Sequence, residues 1–351
     1  MARLKDISAE LGLSVATVSR ALNGFPEVNA QTRSRVREVA DRLGYRPNRI
    51  AQRLVTGRSG MVGMVIKLKP DMSADQTFFD ILTGLTAALG ERDTDLVFAV
   101  DAGGDPVAPY KRMLERGMLD GFILNGPEPD DPRISFLQAR GIPFVMHGQA
   151  EDAPDYPFFG IDNRAVSNDS VALLTALGHR RIALMNGEAR FAFAADRREG
   201  FLAAMADAGL TVPAGFISHG EPTEGYGYTR ALAWLSGQEG PRPTAILCTS
   251  TTVVAGVLRA AADLGLSVPG DVSVMAHDDA LPELRATHFT PALTVTCAPL
   301  RDACRPLAEQ ILDHIDGAPA AHLQTLVRAE TIPRASTGPV PKGETDPWPS
   351  T

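Results

Sequence analysis

Ser14-Val15-Ala16-Thr17-Val18-Ser19-Arg20 is the stretch on which the reading of this chain turns. Ser14 is a good helix N-cap, because its hydroxyl can accept from the amides of the first turn. The helix it opens runs to about Leu22, with Val18, Ala21 and Leu22 facing inward. Val15, Ala16, Ser19, Arg20 and Asn23 are left pointing outward. Upstream, Leu4, Ile7 and Leu11 recur at steps of three and four, one face of an earlier helix. Gly12 then breaks the chain, since glycine adopts conformations other residues avoid. Downstream of Asn29, Val36, Val39, Ala40 and Leu43 form the stripe of a third helix. Two helices joined by a tight turn, with a third behind, describe a helix-turn-helix unit. An exposed Val-Ala pair is odd on a solvated face but suits thymine methyl groups in a major groove, and Arg20 can fork onto a guanine edge. The competing reading is a small helical bundle with an arginine on its surface.

Charge separates these readings. Residues 1–58 hold 11 basic and 5 acidic side chains, a net of +6, whereas the remainder carries −14 and the whole chain −8. A basic head on an acidic body suits a protein that touches phosphates with one end only. Lys5, Arg33, Arg35, Arg46, Arg49 and Arg53 are the candidates for that contact. From Pro47, which suits a helix start, Asn48 to Val55 can form two turns before Gly57 and Gly60 end them. Isolated helices this short are marginal in water. Such a segment folds only when packed against a partner, which makes it a natural switch.

Four motifs, Leu4-Lys5-Asp6-Ile7, Val15 to Asn23, Val28-Asn29-Ala30-Gln31-Thr32-Arg33 and Gly44-Tyr45-Arg46-Pro47-Asn48, closely resemble the head of the lactose/galactose repressor family. The resemblance implies a homodimer or tetramer on a near-palindromic double-stranded DNA operator. It implies that Val15, Ala16 and Arg20 read bases. It places Thr17, Thr32 and Asn48 near the DNA backbone, with Lys5, Ser14, Ser19 and Asn23 around them. Leu54 matches the leucine that the family inserts between base pairs, an apolar wedge that kinks the duplex.

The rest of the chain is too long for one small domain and fits two lobes of about 140 residues each. From Met61 short apolar runs alternate with amphipathic stretches: Met61–Ile66, Leu96–Val100, Gly121–Leu124, Phe144–Met146, Ile182–Met185, Phe216–Ser218, Ala245–Cys248 and Val272–Ala276. Strand–helix alternation implies parallel sheets covered on both faces, with ligands beyond the carboxyl ends of the strands. The fold class expected is therefore α/β: a three-helix helix-turn-helix head on a two-lobed core. The expected segments are a head over 1–46 and a hinge helix with linker over 47–60. A body over 61–334 follows, with lobe 1 about 61–161 and 291–322 and lobe 2 about 162–290 and 323–334. Residues 335–351, rich in Pro, Gly, Ser and Thr, are expected to be a disordered tail.

The body also resembles the family's sugar-sensing core, a type I periplasmic-binding-protein-like fold. Asp120 to Asn125, Gly178 to Ala183, Arg197-Arg198-Glu199-Gly200-Phe201 and Asp271 to Val274 leading to Asp278-Asp279 carry that likeness. By it, Phe78 and Phe79 pack on a ligand, Asn125 ends a strand as a hydroxyl-binding residue, Arg197 enters the cleft, and Asp278 is the acidic contact. His147, also at a strand end, is added from its position, and Asp162 is a hinge or cleft residue. The set is nearly charge-balanced and suits a small neutral sugar or glycoside. Two departures from the family are Ser250-Thr251, where members commonly carry Asn-Asp, and Pro222 or Tyr226 near a common tryptophan position.

Several classes are not expected. No GxGxxG follows a strand and no GxxxxGK[ST] is present, so no nucleotide cofactor is implied. Cys248, Cys297 and Cys304 are widely spaced without a CxxC or Cys/His cluster, so neither a metal nor a disulfide framework is expected. No run approaches the roughly 20 apolar residues of a membrane span, and no apolar signal segment precedes the head, so a cytoplasmic, nucleoid-associated protein is expected. A transport receptor or an enzyme on the same body is the alternative. No Gly-x-Ser-x-Gly or comparable catalytic spacing organises the Ser, His and Asp residues.

Overall fold

A computed structural model describes residues 2–22, 25–45, 58–67, 76–101, 103–117, 119–152, 154–238 and 240–341. Asn23, Arg46, Asn48, Arg49, Arg53, Leu54 and the expected hinge over Pro47–Gly57 lie outside them, as does the side chain of Phe78. The chain divides into two compact units, Met1–Ser59 and Gly60–Thr351.

In the first unit, α1 (Leu4–Leu11), α2 (Val15–Leu22) and α3 (Ala30–Arg42) follow the periodicities of the sequence. Gly12 closes α1 in the left-handed conformation, with φ of 64°. Ser14 caps α2 by accepting from the Thr17 amide at 3.0 Å, and Asn29 caps α3 by accepting from the Thr32 amide at 2.8 Å. Ile7, Val18, Ala21, Val28, Val36, Val39 and Ala40 form one buried core, against which Leu4, Leu11, Leu22 and Leu43 pack. A core this small depends on its caps, each of which contributes about 1 kcal/mol.

The second unit contains two six-stranded sheets. The first lobe begins with β1 (Met61–Lys67), α4 (Gln76–Gly90), β2 (Asp95–Asp101), α5 (Ala108–Glu115), β3 (Gly121–Asn125), α6 (Pro132–Gln138), β4 (Phe144–His147) and β5 (Phe158–Ile161). The second contains α7 (Asn163–Ala176), β6 (Ile182–Asn186), α8 (Ala192–Asp207), β7 (Ile217–His219), α9 (Glu224–Leu235), β8 (Ala245–Cys248), α10 (Thr251–Asp263), β9 (Ser273–Asp278) and β10 (Thr294–Cys297). The chain then returns through α11 (Cys304–Ile315) and β11 (Gln324–Val327) to the first lobe and ends with β12 (Glu330–Ile332) in the second. The strand orders are β11-β5-β4-β3-β1-β2 and β12-β10-β9-β8-β6-β7. Among the described residues all pairings are parallel except β10 with β12. Parallel strands covered by helices must be apolar on both faces, and Phe122, Ile123 and Leu124 of β3 are all about 1% exposed or less.

Two expectations about the segments need correction. Thr294–Cys297, assigned to lobe 1, pairs in register with β9 of lobe 2 (Thr294↔Met275 to Cys297↔Asp278) because Leu293 and Val295 are fully buried in that lobe's core. Gln324–Val327, assigned to lobe 2, pairs with β5 of lobe 1. The chain thus crosses between lobes at 161–163, 297–304 and 327–330. The Asp162 amide donates to the Val327 carbonyl at 2.9 Å, which ties the first and third crossings.

The tail is also ordered where it begins. Ser336 is 0% exposed; its hydroxyl accepts from the Thr294 amide at 2.8 Å and donates to the Val274 carbonyl at 2.6 Å. His179, 1% exposed, lies 3.0 Å from Thr244, Ser273 and the Gly338 carbonyl. Polar composition suggested disorder, but these polar groups meet buried partners that would otherwise be unsatisfied. Residues 342–351 lie outside the described ones. Ser336→Ala should lower the unfolding free energy of the body by about 1–3 kcal/mol, the cost of orphaning a buried donor. Urea titration would show this, and an unchanged midpoint would mean that the docked tail adds no stability.

Candidate functional site

On the head, the described residues expected at DNA differ in exposure. Ala16 and Arg20 are exposed, Val15 is 39% exposed, and Ser19 is half-buried. Thr17 is half-buried, and its hydroxyl lies 2.8 Å from that of Ser14, so both hydroxyls are engaged in the helix start. Lys5 is exposed on α1, and Thr32 is half-buried on α3. Among the described residues α2 thus presents a small apolar patch and a guanidinium, which matches the size and chemistry of a major-groove base edge.

In the body, Asn125 and His147 sit at the carboxyl ends of parallel strands, where such sheets place ligands. Asn125 and His147 end β3 and β4 side by side as register partners, and both are half-buried. Burial pulls the His147 imidazole down to about 4, so at neutral pH it is uncharged, with one donor and one acceptor nitrogen. Phe79, on the first turn of α4, is 48% exposed.

Arg197 comes from α8 and is 7% exposed. Its Nε donates to Asn163 Oδ1 at 2.9 Å, and its Nη1 donates to the carbonyl and hydroxyl of Thr249 at 2.8 and 3.0 Å. Nη2 makes no hydrogen bond among the described residues. Burial lowers its pKa to about 10, a shift that Asp279 opposes, so the group stays charged at neutral pH. The helix reaches this depth because Gly200 crosses α7 without a side chain: a Cβ there would lie 2.4 Å from the Arg164 carbonyl. Phe201 next to it is fully buried in the lobe core. The Arg-x-x-Gly-Phe spacing therefore couples a charged group to a close helix crossing.

Asp278, expected as the acidic contact, ends β9 and is engaged with its own loop. It is 5% exposed, and its oxygens accept from the amides of Ala280 at 2.8 Å and Ala286 at 3.3 Å, so it holds its own loop together. The next residue, Asp279, 29% exposed, is the carboxylate that interacts electrostatically with Arg197. Burial pushes its carboxyl up to about 6, against the pull of Arg197 and with the repulsion of Asp278. His277 lies 3.5 Å from Asp279 and 3.1 Å from the Thr296 hydroxyl, and burial keeps it uncharged.

Sequence reasoning missed five neighbours of this cluster: Asn163, Thr249, Asp279, Phe191 and Phe193. The two phenylalanines stack at 5.8 Å with an interplanar angle of 20°, and the Arg197 guanidinium lies over Phe193 at 5.3 Å. The position of Thr249, just after an apolar strand, was a usable signal. Asn163 and the phenylalanines had none, because their roles come from the crossing and from a loop. Asp162 caps α7 through the Ala165 amide at 2.9 Å. Ser250, at the departure from Asn-Asp, caps α10, and the Tyr226 hydroxyl donates to the Asn186 carbonyl at 3.3 Å. Among the described residues no helix is long and apolar enough to cross a membrane, and no group of three metal-ligating side chains is found.

A carboxyl whose pKa is raised by folding takes up its proton more readily in the fold than in the unfolded chain. The stability it lends is full below its ordinary value of 3.8 and is lost as pH rises through about 6. Asp279→Asn should therefore raise the melting temperature of the body at pH 7.5 and leave it nearly unchanged near pH 4. An equal shift at both pH values would show that this carboxyl does not carry the raised pKa.

Comparison with known proteins agrees with both halves. Residues 3–48 match the family of bacterial regulatory proteins, lacI family, and residues 171–337 match the periplasmic binding protein-like domain. The chain is 41% identical over 348 residues to the HTH-type transcriptional regulator AglR of Rhizobium meliloti, covering 99% of this chain and 97% of that one. It is 34% identical to the HTH-type transcriptional regulator MalR of Streptomyces coelicolor, covering 97% of each. A solved complex of the transcriptional regulator CelR with cellobiose superposes with a TM-score of 0.70 at 26% identity, over 96% of this chain and all of that one. The chain belongs to the lacI family of bacterial regulatory proteins, as a DNA-binding transcriptional regulator with a helix-turn-helix head and a periplasmic-binding-protein-like body.

Proposed function

We propose that this regulator is a cytoplasmic repressor that binds a near-palindromic operator as a homodimer, and that a small neutral sugar between the lobes controls its hold on DNA. The observation that carries the reading is Arg197, a buried guanidinium held by Asn163 and Thr249 with an open Nη2, within electrostatic range of Asp279. A donor fork and an acceptor-only carboxylate suit vicinal hydroxyls. Asn125 and uncharged His147 add neutral polar groups from the other lobe, and Phe191 and Phe193 offer an aromatic face to the apolar side of a pyranose. A phosphorylated ligand would leave that carboxylate facing a second negative charge. The cellobiose bound by CelR, at 26% identity, supports a glucose disaccharide. The relatives are regulators, not enzymes, and the same reading is taken for this chain.

On the head, Val15, Ala16 and Arg20 read bases, with Lys5, Ser14, Thr17, Ser19 and Thr32 around them. Asn23, Asn48 and Leu54 keep the roles that the family likeness implies. The ligand must bind the DNA-released state better, by a coupling of about 1–3 kcal/mol in typical cases.

Two measurements test this. Isothermal titration of the full chain with cellobiose and with maltose should give binding by one of them, abolished in Arg197→Lys, whose single ammonium cannot hold Asn163, Thr249 and a sugar together. Retained affinity in that variant would remove Arg197 from the site. Arg20→Ala should weaken binding to the operator and relax preference at one base pair by about 1–3 kcal/mol. A uniform loss on all DNA sequences would make Arg20 a phosphate contact instead.

A further inference from the structure

The loop after β3 does two jobs. Asn125, which ends β3 and leads into it, belongs to the cleft. The loop's first three residues, Gly126, Pro127 and Glu128, reach the other lobe. The Pro127 carbonyl accepts from the Ala192 amide at 2.9 Å, and Glu128 pairs with Arg190 at 2.8 Å. Ala192 is the first residue of α8, the helix that carries Arg197, and that helix has no side-chain cap of its own. Helix starts leave amides without intrahelical partners. Here lobe 1 supplies the missing acceptor to a helix of lobe 2.

One side chain holds this loop. Arg133, its side chain 15% exposed, donates from Nη1 to the Asn125 carbonyl and from Nη2 to the Gly126 carbonyl, both at 3.1 Å. Its Nε is fixed by the two oxygens of Asp131 at 2.9 and 3.1 Å, and Asp131 also accepts from the Glu128 amide at 3.3 Å. Gly126 has φ of 55°, and a Cβ there would lie 3.3 Å from the Phe191 ring. The loop therefore has one built conformation, set from inside lobe 1.

We propose that Arg133 is a positioning residue that couples the ligand cleft to lobe closure, by holding the 125–128 loop where it both places Asn125 and caps α8 across the interface. The proposal rests on the reading that the ligand binds in this cleft. Moving the lobes apart would uncap the helix that carries Arg197, so the cap, the loop and the cleft respond together.

Hydrogen exchange of the full-length protein, read on the peptide spanning residues 189–195, tests this with cellobiose and maltose as probes. Arg133→Gln should speed exchange of the Ala192 amide on the order of tenfold, the scale of losing one helix cap, while amides of β6 and β8 stay protected. Arg133→Lys, which keeps the charge but cannot bridge two carbonyls and a carboxylate, should show the same release. Gly126→Ala reaches the same loop without touching the Asp131–Arg133 pair and should also free Ala192. Exchange at 189–195 that is unchanged in Arg133→Gln overturns the proposal. If that variant loses protection throughout lobe 1, Gly126→Ala decides: an unchanged Ala192 amide in it overturns the proposal. If neither sugar alters exchange anywhere while both variants release Ala192, the coupling stands and the sugar reading falls. A sugar that protects Ala192 in the wild type and less in Arg133→Gln supports both.

Discussion

Arg197 carries a full charge into a place with little water. A buried ion is tolerated only where its donors are matched and an opposite charge is near. Most of what surrounds the cleft can be understood as meeting that demand. Asn163, at the first crossing between lobes, and Thr249, at the end of β8, take two corners of the guanidinium. Asp279 supplies the countercharge and is itself costly to ionise there. Gly200 lets the helix sit close enough for the group to reach them. Because its partners come from a crossing and from two loops, the charge is well held only when these segments are arranged correctly. That sensitivity to arrangement makes the site suitable for control.

The head meets a different constraint. Three short helices cannot bury much surface, so their caps and turns matter as much as their core. Ser14 and Asn29 are spent on helix starts. What remains outward on α2 is small or apolar at Val15 and Ala16, with Arg20 as the one long charged side chain of that helix. Within one eight-residue helix, Val18 and Ala21 hold the fold while Val15, Ala16 and Arg20 stay exposed.

Much of this was legible in the sequence because it follows from periodicity. All three head helices and eight strands of the body appear where apolar spacing put them. The failures have a common cause. β5, β10, β11 and β12 lie beside the crossings, where the lobe a strand joins is set by pairing and not by its own pattern. Asn125, His147 and Arg197 stand out as candidates in the sequence because strand ends and a helix motif mark them. Asp278 and Asp279 are adjacent and chemically identical, and only the backbone decides which partners each one meets. The amides of Ala280 and Ala286 bond to Asp278, and Asp279 lies within electrostatic range of Arg197. The tail misled for the opposite reason. Ser336 and Gly338 look like disordered composition until Thr294, Ser273 and His179 are seen to need partners.

The scale of the inter-lobe contact matters for control. The pair of Glu128 with Arg190 joins side chains 40% and 34% exposed, and such pairs contribute about 0.2–1 kcal/mol. The bond from the Ala192 amide to the Pro127 carbonyl adds about 0.5–1.5 kcal/mol. Together they hold this rim by roughly 1–2 kcal/mol, the same range as typical coupling free energies between sites. A contact much stronger would lock the lobes whatever was bound, and a ligand with no differential affinity could not move them. A contact much weaker would leave α8 uncapped and Arg197 poorly placed before any ligand arrived. An interface of this strength leaves the balance between lobe arrangements within reach of a few hydrogen bonds to a small molecule.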